Sequence, residues 1–81
     1  MDTEYKNNIE IQVLLLGLYK KNQNETFTDI INTMHNTKVF TSKVGKQYLK
    51  YLKKLNYITE DSLTFIGVQK AQEVEKQFSL Q

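Results

Sequence analysis

Residues 41–58 read TSKVGKQYLKYLKKLNYI, and their spacing decides both the fold and the surface it offers. At about 100° per residue, Val44, Tyr48, Tyr51, Leu52 and Leu55 fall on one side of a helix. Lys43, Lys46, Lys50, Lys53 and Lys54 fall on the other side, with Gln47 at their edge. Such a helix buries one face in a core and presents a dense positive face to something anionic. Thr41 or Ser42 can cap its start, and Asn56 can take the left-handed conformation that stops it, so a helix over about 42–55 is expected. Lys53 and Lys54 complement the helix dipole at the C-terminal end. Lys43 in the first turn does not, and is favourable only if an anion such as phosphate approaches. Gly45 costs ~1 kcal/mol against Ala inside a helix; close packing on the second helix would offset that.

The charge is segregated along the chain. Of 81 residues, 11 are Lys and 9 are acidic, for a net charge of +2. Six lysines and no acid lie between Ile30 and Thr59, whereas the segments on either side are each net negative. The chain contains no Arg, Pro, Trp or Cys. Without Arg, a nucleic-acid reader must rely on Lys–phosphate contacts, on Gln or Asn against adenine, and on DNA shape. Without Cys there is neither a disulfide nor a thiolate ligand, which suits a cytoplasmic location. The acidic start (Asp2, Glu4) does not resemble a signal peptide. The longest apolar run, Val13 to Tyr19, is far short of the ~20 residues that span a bilayer.

Outside the lysine-rich stretch the pattern implies a single domain over 1–81 with three further helices and a hairpin. Ile9, Val13, Leu14, Leu15, Leu16 and Leu18 predict an apolar first helix over about 7–21, with Gly17 at a close crossing. A second helix over about 28–35 follows an extended link, with Thr28 as cap, Asp29 in its first turn, and Ile30, Ile31 and Met34 facing inward. His35, the only histidine, reads as a surface or turn residue, since nothing is present to share a metal with it. Val39 and Phe40 anchor the turn that follows. Tyr57 to Ile66 reads as strand, tight turn at Glu60–Asp61–Ser62, strand. Val68, Ala71, Val74 and Phe78 then give a last helix over about 68–80.

This order resembles a winged helix-turn-helix, an α+β, mainly α fold with a three-helix core, a short β-hairpin wing and a C-terminal helix. Leu52-x-x-Leu55-Asn56-Tyr57-Ile58 resembles the end of recognition helices in bacterial winged-helix regulators. Leu63-Thr64-Phe65-Ile66-Gly67 resembles the segment that closes the wing in MarR-, PadR- and related repressors. The resemblance runs from Ile9 to Phe78. It implies that the third helix enters the major groove, with Ser42, Lys43, Lys46, Gln47 and Lys50 facing DNA. Lys38, Lys53 and Lys54 would touch flanking phosphates. The wing departs from the pattern: its tip, Glu60 and Asp61, would meet phosphates with like charge.

The function expected is sequence-specific binding of double-stranded DNA, in a small transcriptional repressor or a partition or replication adaptor of a phage or plasmid. One recognition module buries only ~600–1,000 Å². A homodimer on paired half-sites is therefore expected, through Ile9, Val13, Val74 and Phe78 on the first and last helices. The alternative is a protein-interaction module that binds an acidic protein surface, for example a phage-encoded inhibitor. An enzyme is not expected, because there is no Cys nucleophile, no phosphate-cradling Gly-rich loop and one His. Glu60–Asp61 and Glu73/Glu75 lie too close in sequence to flank a substrate. No cofactor and no metal are expected.

Overall fold

Two helix ends, each turned by a residue with positive φ, fix the course of the chain. In the computed structural model, which describes residues 9–79, Lys38 (φ 66°) and Asn56 (φ 64°) are the left-handed non-glycine residues. Each sits just past a helix in the same double hydrogen-bond motif. Lys38 N–H donates to His35 O (3.1 Å) and Val39 N–H to Met34 O (2.9 Å). Asn56 N–H donates to Lys53 O (2.9 Å) and Tyr57 N–H to Leu52 O (3.0 Å). These are Schellman caps, which satisfy the last carbonyls of a helix and turn the chain sharply.

The described helices are α1 (Ile9–Lys20), α2 (Phe27–Asn36), α3 (Ser42–Lys54) and α4 (Phe65–Ser79). Positions 7, 8 and 80, which the sequence reading included in the terminal helices, lie outside the described residues. α2 starts at Phe27, and its cap is Thr26, not Thr28. Asp29 N–H donates to Thr26 Oγ1 (3.1 Å), and Thr26 N–H donates to Asp29 Oδ2 (2.9 Å). This reciprocal capping box satisfies two orphan amides at once, which Thr28 could not do with Asp29 adjacent to it. It also draws Phe27 into the helix and the core.

α1 packs against both α2 and α4, and α3 packs on α2. Leu14, Leu18, Ile31, Leu52 and Val74 are sealed from solvent; full burial of one aliphatic side chain is worth about 1.5–3 kcal/mol. Gly45 of α3 lies against Ile31 and Phe40, where a Cβ would come within 2.9 Å and 2.6 Å of their side chains. Phe40 meets the Tyr48 ring edge to face (centroids 5.5 Å apart, planes at 83°), and Tyr48 Oη donates to Glu10 Oε1 (2.6 Å), joining α3 to α1. α4 buries Ala71 and Val74 and is tied to α1 by Gln72 Nε2 donating to Tyr19 Oη (3.2 Å) and by the Lys20–Glu75 ion pair. Glu75 holds the Lys20 ammonium pKa above its ordinary value.

The expectation of an α+β winged helix with a β-hairpin wing over 57–66 is overturned. Among the described residues the protein is an all-helical globule of four helices with no strand. Of the expected hairpin, one isolated antiparallel bridge exists, Ile58 with Leu63. The ladder cannot lengthen because its next peptide groups are already engaged. Tyr57 N–H is bonded to Leu52 O in the α3 cap, and Thr64 O accepts Val68 N–H in the first turn of α4. Thr64 is a helix cap, not a strand residue: its Oγ1 accepts Gly67 N–H (3.1 Å) and donates to Asn56 O (2.6 Å). Phe65 and Ile66, β-formers by propensity, therefore lie in the first turn of α4, 77% and 45% exposed.

Gly67 makes that start possible. A Cβ there would collide with the Tyr57 carbonyl and backbone. Ala is favoured over Gly in a helix by ~1 kcal/mol, but the clash is with backbone and cannot be relieved by a rotamer change. Gly67→Ala is expected to lower stability by about 1–3 kcal/mol, the range for overpacked sites, in urea unfolding followed by circular dichroism. A variant as stable as the parent would contradict this packing.

Candidate nucleic-acid interface

α3 is fixed at both ends, so its outer face is held rigidly. At the start, Thr41 Oγ1 accepts Val44 N–H (3.2 Å), and His35 Nδ1 accepts the N–H of Ser42 (3.2 Å). At the far end stands the Asn56–Tyr57 cap already described. Gly45, Tyr48 and Leu52 form the buried side. The opposite side is a sector of about 100° that holds Lys43, Lys46, Lys50, Lys53 and Lys54, all exposed. From Lys43 to Lys54 the face runs ~16 Å at 1.5 Å per residue, a length and width that the ~12 Å major groove of B-DNA accepts.

Lys38 is exposed in the turn before α3, Gln47 is exposed at the edge of the lysine sector, and Ser42 is half-buried. Lys43, Lys46, Lys50 and Lys54 make no ion pair among the described residues. Lys53 differs, because its Nζ lies 2.7 Å from Glu60 Oε1. Of the residues expected at a dimer interface, Ile9 is 65% exposed and Val13 and Phe78 are half-buried, but Val74 is 2% exposed and belongs to the protein's own core.

For two residues of this region the sequence pattern does not show what they contact. His35 read as a plain surface residue, yet it supplies an acceptor to the first amide of α3; its position seven residues before Ser42, across a tight turn, is the only available signal. Glu60 read as the tip of a wing, yet it faces α3. The cue was present here: a helix stop at Asn56 followed by a turn at Glu60–Asp61 sends the chain back past the last turn of α3.

The arrangement offers charge and hydrogen-bond donors. Among the described residues no group of three His, Asp or Glu side chains could hold a metal, and no helix is long and apolar enough to cross a membrane. Comparison with protein-family models, with curated proteins and with solved structures finds no match to this chain.

Lys38 combines a backbone cost with a charge at the turn. A left-handed non-glycine residue costs ~1–2 kcal/mol, partly balanced by the greater unfolded-state freedom of Gly. Lys38→Gly is expected to raise stability by about 0.5–1 kcal/mol in thermal or urea melts. A loss of stability would mean that the lysine stem contributes packing that outweighs the backbone relief.

Proposed function

We propose that the protein binds double-stranded DNA through the lysine face of α3, as a small transcriptional repressor or a partition or replication adaptor. The observation that carries this reading is the face itself: four lysines with no ion pair among the described residues, within one ~100° sector of a helix whose other side is locked into the core. Three to five phosphate contacts from such a face account for non-specific affinity and for a steep dependence on salt. Lys38 and Lys43 extend it toward the N-terminal end of α3, where the helix dipole also favours an anion. Gln47, exposed beside the lysines, can pair bidentately with adenine N6 and N7. The activity belongs in the cytoplasm and involves no catalysis and no cofactor.

A homodimer is the working form in this proposal, because one module buries too little surface for high specificity. Ile9 on the outside of α1 is the apolar residue that supports it, with Val13 and Phe78 partly accessible beside it; two α3 helices would then lie ~34 Å apart, one DNA turn. The second reading is an acidic protein surface as the partner. What favours it is the acidic turn Glu60–Asp61 next to the end of α3, which narrows the cationic face.

Lys46→Ala with Lys50→Ala tests the reading. The double variant is expected to weaken binding to a labelled duplex and to flatten the plot of log K against log salt by about two units. Unchanged affinity and slope, with the fold intact by circular dichroism, remove α3 from the interface. Gln47→Ala is expected to lose ~1–3 kcal/mol of discrimination at one base position with non-specific binding nearly constant. A parallel fall of specific and non-specific binding would mean that Gln47 reads no base.

A further inference from the structure

The turn that closes the α3–α4 connection carries a carboxylate into the cationic face. Thr59 N–H donates to Ser62 O (2.8 Å), and Ser62 N–H donates to Thr59 Oγ1 (3.3 Å). The two hydroxyls also lie 3.0 Å apart. With the Ile58–Leu63 bridge below it, this closes a tight turn whose two outer residues are Glu60 and Asp61. Glu60 is directed back at α3, where its Oε1 takes Lys53 Nζ at 2.7 Å. Asp61, one residue on, makes no ion pair among the described residues.

We propose that Glu60 is a built-in competitor for phosphate, occupying Lys53 and thereby holding down the affinity of the α3 interface. This rests on the DNA reading of α3. A carboxylate and a phosphate oxygen offer the same ligand to an ammonium group: a charge-assisted acceptor at under 3 Å. The Lys53 ammonium has three donors, so the competition is one of charge: the carboxylate neutralises part of the ammonium and repels a phosphate oxygen beside it. Glu60 is 85% exposed and Lys53 43% exposed, so the pair is solvated, weak and readily exchanged. It suits a competitor that lowers affinity by a small factor without abolishing binding. The turn's hydrogen bonds fix the backbone that carries Glu60, so only its side chain remains to be ordered. The geometry also explains why an acid next to a DNA-binding face need not repel DNA outright: its charge is partly neutralised within the protein.

The test is a double-mutant cycle on the full chain, read by fluorescence anisotropy with a labelled 20-base-pair duplex of mixed sequence over a series of NaCl concentrations. Glu60→Gln is expected to raise affinity about two- to five-fold and to steepen the salt slope by about one, the mark of one added phosphate contact. Asp61→Asn removes the same charge one residue away and is expected to change affinity less than two-fold and leave the slope unaltered. Lys53→Ala should cost little in the parent and several-fold more in the Glu60→Gln background. Equal effects of Glu60→Gln and Asp61→Asn, or an equal cost of Lys53→Ala in both backgrounds, overturn the competitor while leaving the DNA reading standing. No binding by the parent or by any variant at low salt overturns both.

Discussion

The backbone of Tyr57 joins the end of α3 to the start of α4, and most of the architecture depends on it. Its N–H closes the α3 cap on Leu52 O, and its carbonyl accepts Thr64 N–H (3.0 Å). The same peptide rests on Gly67, where no side chain could fit. One residue thus ends one helix, holds the turn, and seats the next helix. A paired β-hairpin would need Tyr57 N–H and Thr64 O for its own ladder. Both are engaged in helix ends, so the connection remains one bridge wide and α4 begins at once.

What could be read from the sequence and what could not follow from this competition. The α3 stripe was legible because helical periodicity and charge segregation agree over thirteen residues: Tyr48 and Leu52 are buried and Lys46 and Lys50 exposed, as their spacing requires. Asn56 was legible as a stop for the same reason that Asn tolerates positive φ. The segment from Tyr57 to Ile66 was misread because Tyr, Ile, Thr and Phe favour strands, and local propensity carries no information about which peptide groups a cap has already claimed. Thr64 lies in this strand-forming run, yet a Thr three residues before Gly67 can serve as a helix cap. For Val74, helical spacing marks an apolar side without saying what covers it; in the structure the residue is buried. The candidate site was legible as a list of cations, but not in its details. Neither His35 Nδ1 on the Ser42 amide nor Glu60 on Lys53 follows from periodicity, since both contacts cross a turn.

In the proposed function the rigid parts and the charged parts have separate tasks. Close packing at Gly45 and the Phe40–Tyr48 contact set the height of α3 above the core, and the caps fix its length. The lysines contribute almost nothing to this stability: exposed ion pairs are worth ~0–1 kcal/mol, and among the described residues most of these lysines form none. Stability and partner recognition can therefore be varied independently on α3, with substitutions on its outer face leaving the fold intact. Specificity would rest on few groups, because lysine reads phosphate as a point charge and lacks the bidentate geometry of arginine. Gln47 and DNA shape would carry the remainder.

Amide chemical-shift mapping by two-dimensional NMR, with a short duplex titrated into labelled protein at low salt, tests the central claim most directly. The account expects the perturbed amides to cluster from Lys38 through Lys54, strongest on the outer sector around Lys43, Lys46, Gln47 and Lys50, and to fade as salt is raised. Perturbations centred on α1 or α4, or none at millimolar duplex, would contradict it.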